Sequence, residues 1–250
     1  MRAWVLLGVA MGCSGGHPPP EAAVPPPEPL PPLEPHDPVS VAAHLELPAS
    51  VEAQRGVYAQ RVVAAEDTVA LFAAAHGWRE QVPERPFEGV ALFDTPEALW
   101  ARLAGEAPPP AALPPAALEA GALLVVTEAG YRASSPDRAD PPDAWTRLVA
   151  HELVHGLQGA VLAADGRPAE AVGPHWFAEG LAVLGSGQDF DTRAGLVYAS
   201  AEEALAGVGS GDPATALTRY AAAVRYFARR EPLPALVARA GDPGFEDSLR

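Results

Sequence analysis

Three residues define the chemistry open to this chain: His151, Glu152 and His155, in the run His151-Glu152-Leu153-Val154-His155. Apolar residues around them (Trp145, Leu148, Val149, Leu153 and Leu157) recur at helical spacing. At 3.6 residues per turn, two imidazoles four positions apart stack on one helix face, one turn from each other. From there both reach a single metal ion, and imidazole is the commonest side-chain metal ligand. Glu152 sits one step around the helix from His151. It is placed to take a proton from a water at the metal rather than to ligate. Such a set suits metal-assisted hydrolysis with a carboxylate base. The plainer reading is a helix with two satisfied or exposed histidines. With seven His in the chain, chance produces this five-residue pattern roughly 0.01–0.02 times, so the motif is informative for one sequence.

A second motif follows: His175-Trp176-Phe177-Ala178-Glu179-Gly180-Leu181-Ala182. H-E-x-x-H is the arrangement of zinc metallopeptidases. His-Glu-Leu-Val-His followed by Trp-Phe-Ala-Glu-Gly-Leu-Ala resembles the gluzincins, most of all the bacterial peptidase MA-like group with its W-[FL]-x-E-G-x-A motif. The resemblance implies an α+β, zincin-like fold: a small mixed β-sheet with an active-site helix, then a mostly helical C-terminal part. It implies Zn2+ held by His151, His155 and Glu179, with a peptide or protein as substrate. Glu152 is then the general base for an attacking water. The donor to the tetrahedral intermediate is expected from the C-terminal region, with Tyr220 the first candidate and Tyr198, Tyr226 and His175 its rivals. By the same resemblance, a strand at residues 123–127 is a candidate edge for pairing with an extended substrate; its other reading is a buried core strand.

Some choices within that frame are visible in the residues. The H-E-x-x-H-x-x-G-x-x-H pattern of metzincins fails, because Gln158 and Val161 occupy the later positions. His175 competes with Glu179 for the third ligand position if its helix starts early. Some gluzincins place an acid after the third ligand to orient a zinc histidine. Here Val183 and Leu184 follow, so that partner must come from elsewhere. Two other functions stand beside hydrolysis: an exported binding or assembly lipoprotein with little or no turnover, and a storage or structural site closed by His175.

The elements that must position these residues follow from pattern. Residues 50–76 carry helical spacing without proline, with Ser50 as N-cap and Gly77 as stop. Residues 87–93 read as a strand, and Asp94-Thr95-Pro96 opens a helix through Leu103. Residues 106–115 form a Pro-rich loop. The apolar, β-branched run in 121–128 is the best strand, and 131–140 reads as polar loop. Asp140-Pro141-Pro142-Asp143 starts the motif helix, expected over 142–162. Asp165-Gly166-Arg167-Pro168 turns the chain, and Gly173-Pro174 starts the next helix, leaving His175 in its first turn. The tail, Tyr220 to Phe227 and Gly241 to Leu249, resembles the helices that close the zinc cleft in gluzincins.

The N-terminus reads as an address. Met1-Arg2 is followed by an apolar run to Met11 and then Gly12, Cys13 and Ser14. The run is too short for a bilayer, which needs about 20 residues, and has the layout of a signal peptide over 1–13. Val9-Ala10-Met11-Gly12-Cys13 resembles a bacterial lipobox. That implies lipidation of Cys13 and membrane attachment through it; Ser14 resembles outer-membrane sorting, facing the periplasm or cell surface. An ordinary secretory signal with an incidental cysteine is the other reading. Residues 14–38 are proline-dense and form an extended linker, leaving 39–250 as the metallopeptidase domain. A single cysteine excludes a disulfide scaffold. Seventeen basic residues against 32 acidic give a net charge of −15, the wrong sign for nucleic acid.

Overall fold

The computed structural model describes residues 37–250 except 83–86, 106, 108, 111–112, 120, 140, 169–170, 189–195 and 210–214. Cys13, the signal at 1–13 and the linker to residue 36 lie outside the described residues. The chain is α+β, with a four-stranded mixed sheet and, among the described residues, eleven α-helices. The first helix, α1 (Pro38–Ala43), begins in the last residues assigned to the linker. The Asp37 carboxylate caps it by accepting from the Val39 N–H at 2.9 Å, with proline in the first turn.

The strands are β1 (Leu45–Glu46), β2 (Gly89–Phe93), β3 (Ala116–Glu119) and β4 (Ala122–Val126), in the order β1-β2-β4-β3. β2 runs parallel to both β1 and β4, while β3 and β4 form an antiparallel pair. Val90 lies opposite Leu123, and Ala116 opposite Val125. Residues 123–126 are almost wholly buried, as the continuous apolar run requires. β4 therefore has strand neighbours on both sides, and the expectation that 123–127 is a sheet edge is corrected. The edge beside it is β3, whose Ala-Ala-Leu-Glu sequence carries no strand signal.

α2 (Arg55–Ala75) spans most of the helix expected over 50–76, behind a short 3-10 turn at Glu52–Gln54. Ser50 does not cap it; its hydroxyl bonds Asp94. α3 (Pro96–Ala104) opens with the Thr95 hydroxyl accepting from the Ala98 N–H. The stretch 131–140, expected as loop, is instead mostly helical: α4 (Glu128–Ser134) and α5 (Pro136–Ala139). Thr127 caps α4 by accepting from the Gly130 N–H at 3.2 Å, and Tyr131 buries its ring in the core. One cap and one anchor outweigh the polar composition.

α6 (Ala144–Ala164) carries the first motif. It starts two residues later than expected, and Asp143 pairs with Arg147 at 2.7 Å rather than capping. The Trp145 indole fixes its start by donating to the Val126 carbonyl at 2.7 Å. Tyr58 of α2 packs edge-on to Trp145, 4.9 Å between centroids, and its hydroxyl accepts from the Glu128 N–H. α7 (His175–Gly185) carries the second motif. The remainder is helical: α8 (Ala201–Val208), α9 (Ala216–Ala228), α10 (Leu233–Arg239) and α11 (Phe245–Ser248). Trp176 of α7 stacks on Phe245 and donates to Glu246 at 2.7 Å, tying α7 to the C-terminal helix. No helix among the described residues is long and apolar enough to cross a membrane.

Candidate metal centre

α6 places His151 and His155 as its periodicity dictates, one turn apart, with their Nε2 atoms 3.2 Å from each other. α7 brings Glu179 against both. Its Oε2 lies 3.4 Å from His151 Nε2, and its Oε1 lies 3.5 Å from His155 Nε2. That approach depends on small residues. A Cβ on Gly185 would sit 2.7 Å from Val154 Cγ2 on α6, and one on Gly180 would sit 2.6 Å from the Tyr220 carbonyl oxygen on α9. α7 is thus wedged between the two helices with glycine facing each. The Gln158 amide of α6 also donates to the Val172 carbonyl just before α7, at 3.0 Å.

The donors fit a metal. Nitrogen and oxygen ligands bond zinc at about 2.0–2.1 Å, so neighbouring corners of a tetrahedron stand about 3.3–3.4 Å apart. The two imidazole nitrogens stand 3.2 Å apart, each with a different Glu179 oxygen within 3.5 Å, and one ligand atom from each residue lies within 4.8 Å of the others. His151 is buried and the other two are half-buried. This group of two imidazoles and a carboxylate could hold a metal ion.

The surrounding charges are arranged for it. Burial pushes the Glu179 carboxyl up, but hydrogen bonds and charge from His151 and His155 together outweigh this and hold it well below the usual carboxylate range. Glu152, which is not among the grouped ligand atoms, has its carboxyl pushed up by burial, against the opposing pull of the two histidines. A carboxylate of raised pKa beside a metal site is suited to accept a proton.

The side-chain partner of His151 Nδ1 comes from beyond the end of α7. Gln188 Oε1 lies 2.8 Å from His151 Nδ1. The Arg147 guanidinium, one helical turn before His151, donates to the Gly187 carbonyl at 2.8 Å while its other nitrogens hold Asp143. Gln188 carries no motif signal. Arg147 was not singled out either, although position i−4 of His151 shares its helix face.

These side chains line a cleft of about 610 Å³. Its far wall is formed by Pro114, Pro115 and Ala116 at the start of β3, together with Tyr131 and Arg138. Leu217 and Thr218 of α9 also line it, whereas no residue of the expected tail stretches 220–227 and 241–249 does. Tyr220 is half-buried and is not among the residues lining the cleft; its ring packs edge-on to His175 at 6.0 Å. His175 is 77% exposed, with Nδ1 3.9 Å from Glu179 Oε1, and lies outside the ligand group. Tyr198 and Tyr226 are core residues away from the cleft. Tyr131, expected in a loop, does line it, and burial pushes its phenol up.

Comparison with family models, curated proteins and solved structures gives no match. The functional reading therefore rests on the two motifs and this geometry.

Proposed function

We propose that the chain is a zinc-dependent peptidase of gluzincin type, with His151, His155 and Glu179 as ligands and Glu152 as general base. The observation that carries the reading is the convergence of two imidazoles and a carboxylate within 4.8 Å of one another, beside a second carboxylate of raised pKa. Zinc held there would supply Lewis acidity, polarising the scissile carbonyl and making water nucleophilic at neutral pH. Glu152 accepts one proton from the attacking water and returns it to the amide nitrogen as the C–N bond breaks. Tyr131 and Tyr220 are the phenols available to donate to the developing oxyanion. Tyr131 is favoured because it lines the cleft.

The substrate is a peptide or protein laid along the cleft. β3 is the sheet edge there, and an extended chain can add to such an edge through main-chain hydrogen bonds. In this reading the protein is exported and held at a membrane by lipid on Cys13, with the proline-dense linker carrying the domain away from the surface. The alternative of a binding or assembly lipoprotein without turnover drew on the lack of an acid after Glu179, and Gln188 takes that orienting place.

Glu152→Gln tests the mechanism. The variant is expected to retain zinc while hydrolysis of a mixed-sequence fluorogenic peptide library falls by about 100- to 10,000-fold. Undiminished hydrolysis would overturn the assignment of the base.

A further inference from the structure

We infer that Gln188 is a positioning residue for the metal centre: its carboxamide selects the His151 tautomer that turns a bare Nε2 toward Glu179 and His155. The inference rests on the metal reading above and adds a residue that neither motif contains.

Both nitrogens of a neutral His151 ring face acceptors, Gln188 Oε1 at 2.8 Å and Glu179 Oε2 at 3.4 Å, and the shorter contact takes the single proton. His151 Nε2 faces Glu179 Oε2 at 3.4 Å and His155 Nε2 at 3.2 Å, so it is the ligating atom. A neutral imidazole that ligates through Nε2 must carry its proton on Nδ1. The atom 2.8 Å from Nδ1 is the Gln188 carbonyl oxygen, which can only accept. The bond therefore fixes the ring in both tautomer and rotation, which is what outer partners of metal histidines do.

Gln188 is itself held. The Gly187 carbonyl before it accepts from Arg147, and its own N–H donates to the hydroxyl of Ser186, a residue that is 1% exposed. Arg147 lies on the same helix as His151, so one face of α6 carries both the ligand and the clamp on the segment that orients it.

The test uses the full chain and two substitutions. Gln188→Leu keeps the side-chain volume and removes the acceptor; Gln188→Glu keeps an acceptor. Zinc affinity is measured by chelator competition, and the His151 tautomer of metal-free protein by long-range 15N–1H correlation at a pH where the ring is neutral. Wild type is expected to show a protonated Nδ1 and a bare Nε2. In Gln188→Leu the ring is expected to shift toward the Nε2–H form, and zinc affinity to fall by about 10- to 100-fold. Gln188→Glu is expected to recover both. An unchanged His151 tautomer in Gln188→Leu, or an Nε2–H ring in wild type, would overturn the inference. So would unchanged zinc affinity in that variant. If wild type binds no zinc, the peptidase reading fails, and the tautomer measurement still decides the role of Gln188.

Discussion

At the scale of single residues, His155 sets how the centre responds to pH. Burial pulls its imidazole down, but the hydrogen bond it donates to Glu179 and the charges of Glu152 and Glu179 together outweigh this and leave it above the ordinary 6.5. A metal needs the neutral ring, so protons compete with it below the raised value. Zinc affinity is therefore expected to decline on acidification with its onset above pH 6.5. Competition titrations across that range check this; constant affinity through it would contradict the expectation. The two candidate phenols separate by kinetics. Tyr131 lines the cleft and Tyr220 packs on His175, so Tyr131→Phe is expected to lower kcat by about 100- to 1,000-fold, the usual cost of one oxyanion donor. Tyr220→Phe is expected to cost far less, and the reverse order would return the role to Tyr220. His151, Glu152 and His155 were legible because their spacing encodes their geometry, and Glu179 because its motif resembles that of the gluzincins. Gln188 and Tyr131 were not, since each reaches the site only through tertiary packing.

At the scale of elements, the centre depends on how closely α7 approaches α6. Gly185 faces Val154, the neighbour of the ligand His155. Gly185→Ala is expected to destabilise the protein by about 1–3 kcal/mol through overpacking, and to weaken zinc binding as Glu179 is drawn from the histidines. Adding Val154→Ala opens space and is expected to restore part of both losses. Urea melts with zinc titrations of the single and double variants check this, and additive losses would place the clash elsewhere. The long elements were readable: α2, α6 and α7 follow from uninterrupted apolar periodicity, and β4 from its β-branched run. The short ones were not. β1 has two residues, β3 reads as helix-forming, and α4 and α5 are stabilised by the Thr127 cap and the buried Tyr131 ring rather than by pattern. The edge at 123–127 was implied by resemblance alone, and β3 occupies that side of β4.

At the scale of the whole molecule, one hydrophobic core runs from the sheet through α2, α6 and α7 to the C-terminal helices. The two motifs are stitched into it from opposite ends, α6 by Trp145 on the sheet and α7 by Trp176 on α11. The three donors are therefore held by the fold at large rather than by a loop, which suits a preformed site. The proposed function has this fold hold one metal with those donors. Zinc per chain, measured on purified full-length protein equilibrated with zinc and freed of excess, tests this when run beside His155→Ala and Glu179→Ala. Close to one zinc is expected in the parent and little in either variant. No zinc in the parent, or full occupancy in Glu179→Ala, would contradict it.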